Sequence, residues 1–420
     1  MFRKYNLGDE RGITVLLKEC FDSYRRWNIT EEDWLSLRDD NSGFTDSLIF
    51  VAEEDGDIVG HVQAVLRELR INGHCVNFGG IANVATKPSY RGRGIAFNLL
   101  KMTHEGLREK GIGLALLYTG LRGVPHRLYR RLGYADVTLM RREICNVEDV
   151  VDEIGMYKLS FKVREIERRD EEVLLKLYEK WSQVHGGICR PKNYWDRILG
   201  NRKYYHTFFY DTRGVVGFIA EKGNKPKGYA VVAVPKLMSR NTWIQKDSAE
   251  IIDIVYENKG AAYALLERCA KILKQVGIKE LIINSPETML GNSQSVKEGT
   301  VLMGMLINQE TFMKEMVNVL NKRLAKTGLG GEMSIRVETS YGAFTLKMRG
   351  EEITVSNNGS DNKIRIKDGD FIGLILGFKD FNEVEIEEAN LVSIKWANLR
   401  TILQTLFPKR APYIQPIDMW

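Results

Sequence analysis

Two stretches of this chain repeat one another at a fixed spacing, and that spacing limits the folds open to it. Gly94 and Gly260 stand 166 residues apart. The same offset carries Ala96 onto Ala262, Leu99-Leu100 onto Leu265-Leu266, Leu107 onto Leu273, and Gly111-Ile112 onto Gly277-Ile278. Helical periodicity alone would align the leucines. It would not also align the glycines at the start and the stop, so an internal duplication is the better account. A chain of 420 residues exceeds what one compact core accommodates, and the repeat implies at least two related domains.

The first copy is the more legible. Residues 48–86 contain three strand-like runs separated by Asp55-Gly56 and Asn72-Gly73, dipeptides that accept the positive φ values of tight hairpin turns. Helical spacing takes over from Ile95 to Leu107, Lys110-Gly111 marks the helix end, and "GLALLY" (113–118) reads as a buried strand. Upstream, residues 12–27 and 30–38 read as helices. Thr30 is the expected N-cap of "TEED", a reading preferred over an acidic site for a cationic substrate because such caps are common. From about residue 305 the texture changes to one amphipathic helix followed by alternating strands such as "EMSIRVE" and "AFTLKMRG". The expected fold is mixed α/β, with domains over 1–148, 149–303 and 304–420.

Composition excludes several function classes. Apolar residues make up 44% and charged residues 28%, as in ordinary soluble globular chains. The net charge of +6 is spread along the chain, which does not argue for nucleic acid. No apolar run approaches the ~18 residues of a membrane span, and the N-terminal stretch lacks the apolar region of a signal peptide. The five cysteines are far apart without a CxxC pair, so the expectation is no disulfide framework, no metal site and a reducing, cytoplasmic compartment.

Chemistry concentrates at "VATKPSYRGRGIA" (84–96), where a strand gives way to a helix. A helix N-terminus exposes N–H groups without intrahelical partners and carries partial positive charge. Gly92 and Gly94 let a large anion approach the backbone, and Arg91 and Arg93 offer forked donors suited to phosphate. The stretch is neither a P-loop, since no GK[ST] follows, nor the G-x-G-x-x-G dinucleotide fingerprint. Read locally, a pyrophosphate site and a plain basic turn both remain open.

Arg91-Gly92-Arg93-Gly94-Ile95-Ala96 resembles the R/Q-x-x-G-x-G/A acyl-coenzyme A signature of the GNAT N-acetyltransferases, and "LYRRLGY" (128–134) resembles their second motif. The whole-chain plan resembles the enhanced-intracellular-survival (Eis-like) acetyltransferases. Those carry an active GNAT domain, a degenerate second copy and a final α+β domain like sterol carrier protein 2. The resemblance is strong around 84–134 and architectural elsewhere.

The resemblance implies acetyl transfer from acetyl-CoA to a primary amine by direct attack, with aminoglycoside-like, polyamine-like or lysine amines as acceptors. Val84, Ala85 and Thr86 would supply backbone N–H groups to the oxyanion, and Arg91 through Ala96 would hold the pyrophosphate. Tyr129 would protonate the departing thiolate, while Tyr134 packs. The terminal carboxylate, on Trp420, would take the proton of the amine, with Asp418 a nearby carboxylate to be distinguished from it. Three of the nine prolines lie in the last thirteen residues, which suits a stiff, docked tail. His126 is a further histidine close to Tyr129, and the family pattern does not require it. The second copy has Glu257 where the first has Arg91, which repels a pyrophosphate and leaves that domain a structural task. Self-association into a homo-oligomer, up to a hexamer, is expected by analogy. A hydrophobic-ligand carrier built on the last domain is the alternative.

Overall fold

The computed structural model describes residues 1–40, 48–192, 194–195, 215–234 and 248–419, without the side chains of 26, 27, 36–40, 141 and 295–298. The chain opens with β1 (Phe2–Lys4), α1 (Glu10–Cys20), α2 (Asp22–Trp27) and α3 (Glu31–Asp40). The single helix expected over 12–27 is broken at Phe21, whose backbone is extended. Thr30 Oγ1 accepts from the Asp33 amide at 3.1 Å, and the Asp33 carboxylate accepts from the Thr30 amide at 3.1 Å, so "TEED" is a reciprocal cap.

Strands β2 (Ile49–Glu54), β3 (Asp57–Ile71) and β4 (His74–Thr86) form the expected antiparallel meander. Both hairpin dipeptides sit in the left-handed region, with φ of 52° and 83° at Asp55-Gly56 and 49° and 82° at Asn72-Gly73. Helix α4 (Ile95–Glu109) follows, then β5 (Leu114–Gly120), α5 (Val124–Arg131), β6 (Ala135–Asn146) and α6 (Val147–Gly155). Leu99, Leu100 and Leu107 of α4 are fully buried against the meander.

The second copy contains β7 (Lys162–Glu165), α7 (Glu171–His185), β8 (Gly187–Ile188), β9 (Val215–Lys222), β10 (Lys225–Ala233) and β11 (Ser248–Tyr256). It continues with α8 (Lys259–Gln275), β12 (Glu280–Ile283) and β13 (Gln294–Leu306). The two copies share one thirteen-stranded sheet, ordered β1-β2-β3-β4-β5-β13-β6-β12-β11-β10-β9-β7 with β8 on β3. Strand β13 lies between β5 and β6 and pairs antiparallel with both. The boundary drawn at 303 therefore falls inside a strand that completes the first copy's sheet.

The repeat survives in the backbone. Gly111 and Gly277 end α4 and α8 with φ of 71° and 73°. Ile112 and Ile278 each donate from N–H to the carbonyl of Leu107 and Leu273, at 2.9 Å in both cases. The helix starts differ: α4 is entered through left-handed Gly94, whereas α8 begins after Asn258, whose side chain caps the Ala261 amide at 3.0 Å.

The chain continues through α9 (Gln309–Ala325), β14 (Gly331–Thr339), β15 (Gly342–Gly350), β16 (Glu352–Ser356), β17 (Lys363–Ile366), α10 (Asp368–Ile375), β18 (Ile386–Asn390) and α11 (Trp396–Leu406). Its five strands form a separate sheet, ordered β16-β15-β14-β17-β18. Helix α9 is an internal wall, with Phe312, Met316 and Leu320 in one core with Phe78 of β4 and Phe344 of β15.

One expectation is corrected. Cys75, at the β3–β4 hairpin, and Cys189, just after β8, form a disulfide across a sequence separation of 114 residues. Sequence spacing could not show this, because strand pairing is what unites the two: β8 docks on β3 with Ile188 opposite Leu69. Among the described residues no helix is long and apolar enough to cross a membrane.

Candidate active site

The cleft is built where two parallel strands part. Strands β4 and β5 pair only at Gly79–Ala115 and Gly80–Leu116. Beyond that point the two strands diverge, and the β4 edge facing β5 leaves the ladder. Just downstream Asn83 adopts φ 50°, and the register of β4 against β3 shifts between Gln63 and His61. This bulge redirects the strand, a common device beside active sites. The Asn83 side chain accepts from the Tyr24 hydroxyl at 2.9 Å, which fixes α2 over the same edge.

A cleft of about 1230 Å³ opens at this fork. Val84, Ala85 and Thr86 line it, as do Arg91, Gly92, Gly94, Ile95 and Ala96 at the start of α4. Gly92 and Gly94 have φ of 80° and 79°, conformations that disfavour a side chain. No side chain caps α4, so its first-turn amides are open to an anion. Arg91 turns its Nε to the Thr86 carbonyl at 3.3 Å. Arg93 is not among the lining residues; its guanidinium sits over the Tyr90 ring at 4.7 Å and 3.6 Å from Glu54. Arg127 and Arg131 of α5 and Arg142 of β6 also line the cleft. Arg91, Arg127 and Arg131 make the α4–α5 side of the cleft cationic, as suits a polyanionic ligand, whereas Arg142 faces Glu250.

Tyr129 lines the same cleft on α5. It is buried, packs edge-on to Tyr134 at 5.8 Å, and burial pushes its phenol well above the ordinary value. The hydroxyl therefore stays protonated at neutral pH and can donate. Tyr134 is buried with its oxygen 2.9 Å from His104 Nε2, a packing role. His126 is turned to β6, with Nε2 2.7 Å from Asp136 Oδ1. It is not among the lining residues.

The expected base, Trp420, lies outside the described residues. Pro416 and Met419 just before it line the cleft. The Asp418 carboxylate is turned away and consumed in a buried cluster with Arg190 and Tyr194. Sequence reasoning missed Tyr24, Tyr118, Arg142 and Glu250, all lining residues. They come from α2, β5, β6 and β11, and no local motif marks them. Glu250 is buried, accepts from Asn284 Nδ2 at 2.8 Å and lies 3.5 Å from Arg142.

The corresponding helix start of the second copy is engaged by its own side chains. Asn258 occupies an α8 amide, and Glu257 is held by Lys180 at 2.8 Å and Lys227 at 2.7 Å. These lysines hold the Glu257 carboxyl below the usual carboxylate range.

Residues 1–137 match the family described as an acetyltransferase (GNAT) domain. The chain is 28% identical over 170 residues to the N-acetyltransferase Eis of Mycobacterium tuberculosis and of Mycobacterium bovis. That match covers 38% of this chain and 41% of those relatives' own length. Among solved structures, a probable N-acyltransferase from Enterococcus faecalis superposes with a TM-score of 0.70 at 16% identity, covering 99% of this chain and 98% of that one. A GCN5-related N-acetyltransferase from Anabaena variabilis gives 0.68 at 16%, with coverage of 99% and 98%. Eis1 from Mycobacterium abscessus gives 0.60 at 15%, also with coverage of 99% and 98%. At these identities the structural likeness establishes the fold.

Proposed function

We propose that the chain is an acetyl-CoA-dependent N-acetyltransferase that transfers the acetyl group directly to a primary amine. The observation that carries this reading is the joining, in one cleft, of an uncapped helix start bearing Arg91, a strand edge freed by the β4–β5 fork, and the buried Tyr129.

The pyrophosphate of the cosubstrate sits at Gly92–Ala96 with Arg91 beside it, and the thioester enters the fork along Val84–Thr86. Attack by the neutral amine forms the N–C bond and places negative charge on the carbonyl oxygen, which β4 amides stabilise. Collapse breaks the C–S bond; Tyr129 gives its proton to the thiolate, and the amine's proton leaves to a base. For the base we keep the carboxylate expected at Trp420, with Pro416 and Met419 in the cleft wall as support. Arg93 backs the turn through Tyr90 and Glu54 rather than contacting the ligand. The last domain is read as sterol-carrier-like, and self-association is retained as a further expectation.

The acceptor is a small amine of aminoglycoside or polyamine type, with a lysine side chain as the rival. The test monitors free thiol released from acetyl-CoA with tobramycin, spermidine and a lysine peptide in turn. Thiol release with the small amines is expected; preference for the peptide overturns the acceptor, and no acetyl-CoA binding overturns the reading. Stabilisation by lipids alone would favour a hydrophobic-ligand carrier.

A further inference from the structure

Between α7 and the end of the described chain lies a buried ionic cluster that the reaction does not use. The side chains of Arg190 and Asp418 are each 1% exposed. Arg190 Nε and Nη2 donate to Asp418 at 3.0 and 2.8 Å, a forked contact. Nη1 donates to Asp253 of β11 and to the Tyr229 hydroxyl, each at 2.8 Å. The guanidinium lies 3.6 Å from the Tyr178 ring centroid and 4.5 Å from that of Tyr194, whose hydroxyl donates to Asp418 at 2.8 Å.

We propose that Arg190 is a positioning residue for the cleft: by clasping Asp418 it fixes Pro416 and Met419 as part of the cleft wall. The second copy then serves the reaction at the first copy's site through the tail it holds.

Three observations converge on this. Pro416, two residues before Asp418, and Met419, the next one after it, line the cleft, so an error in the placement of Asp418 is passed to the wall. The backbone of Arg190 is itself anchored: its neighbour Cys189 is bonded to Cys75 on the hairpin of β4, and the Cys189 amide donates to the Glu68 carbonyl at 2.8 Å. Arg190 is thus tied to the β3–β4 hairpin through the neighbouring disulfide and to the tail that carries Pro416 and Met419. The tail is also docked on the second copy upstream, through the Tyr413 amide to the His185 carbonyl at 2.9 Å and Gln415 Nε2 to the Ile254 carbonyl at 2.8 Å.

A buried ion cluster costs desolvation that an apolar plug would avoid, so its contribution is orientation rather than net stability. A planar guanidinium gripping a carboxylate at two points fixes direction as well as distance. One cation here faces two carboxylates, Asp253 and Asp418. Neutralising Asp418 leaves a one-to-one pair, so Asp418→Asn is the variant that keeps the fold while loosening the clasp.

The test compares full-length wild type with Asp418→Asn and Arg190→Lys. Hydrogen exchange reads the clasp without reference to activity: the amides of residues 415 and 417–419 are expected to exchange about tenfold faster in Asp418→Asn, with the α4 amides unchanged. The kinetic arm rests on the acetyl-transfer reading. On whichever of tobramycin, spermidine or lysine peptide the wild type accepts, kcat/KM for the amine is expected to fall about tenfold while acetyl-CoA affinity by calorimetry holds within about twofold. Arg190→Lys, which keeps the charge but loses the fork, is expected to fall between. Unchanged exchange at 415 and 417–419, or equal loss of acetyl-CoA and amine recognition, overturns the proposal. A wild type that accepts no amine fails the acetyl-transfer reading alone, and the exchange arm still decides the clasp.

Discussion

His61 Nδ1 lies 2.9 Å from the carbonyl oxygen of Asn83, the residue whose left-handed backbone bends β4 at the cleft. The contact requires Nδ1–H as donor, and full burial favours the neutral ring, pushing the histidine down to about 4. His104, behind Tyr134, is pushed down to about 4 by the same cause. Both rings stay neutral in the fold while the unfolded chain takes up protons near pH 6.5. Stability from these histidines is whole above about pH 6.5 and is lost as pH falls from there towards 4, because the unfolded state then binds more protons. Urea unfolding of wild type is expected to weaken by about 2–3 kcal/mol per histidine across that window. In His61→Gln the acid loss should shrink by roughly half; an unchanged pH slope would mean that His61 titrates normally.

The helix start gives the sharpest test of the cosubstrate site. Arg91→Glu copies what Glu257 does in the second copy and, on the proposed reading, would face the pyrophosphate with like charge. Losing a charge-assisted contact of about 1.5–3 kcal/mol predicts a 10- to 100-fold weaker acetyl-CoA affinity by calorimetry. Arg93→Glu, at a side chain stacked on Tyr90 outside the cleft lining, is expected to change it far less. Equal effects would place both guanidinium groups on the ligand.

How far these features were legible depends on the range of the interaction that makes them. The Asn72-Gly73 turn, the Thr30 cap and the Gly111 and Gly277 helix stops are set by a few neighbouring residues, and each was readable in sequence. The Arg91–Ala96 turn was readable for the same reason. Strand β13 was not, because its place between β5 and β6 is fixed by long-range pairing rather than by its own pattern. The break at Phe21 also escaped, since apolar spacing continues through it. The Cys75–Cys189 pair and the Arg190–Asp418 clasp depend on residues 114 and 228 positions apart. In sequence Asp418 read as a stray carboxylate beside the end of the chain, whereas its burial gives it a partner.

The disulfide predicts a stability cost on reduction. Closing a long loop restricts the unfolded chain, and such links typically contribute about 2–4 kcal/mol. Cys75→Ser is expected to lose that amount in urea unfolding, and dithiothreitol should lower wild type to the same midpoint. Cys269, fully buried on α8 and with its thiol pushed up to about 12 by burial, should stay unreactive towards thiol reagents in the native state. No change in wild type on reduction would mean that the two cysteines are not joined in solution.

Tyr129→Phe tests the proposed general acid. The hydroxyl is removed while the ring still packs edge-on to Tyr134, so the fold and the α4 anion site are left in place. General-acid assistance typically contributes about 10²–10⁴-fold, and kcat is expected to fall by that order with acetyl-CoA affinity unchanged. The direction of the phenol's shift adds a second check. Burial holds the proton on Tyr129 beyond the ordinary range, so the wild-type rate should not decline through loss of this proton as pH rises towards about 10. A leaving thiolate of low basicity needs the acid less than one of high basicity. Replacing acetyl-CoA by a thioester with a more acidic thiol should therefore recover much of the lost rate in Tyr129→Phe and little in wild type. Equal gains in both would remove Tyr129 from the proton transfer and leave it as a wall of the cleft.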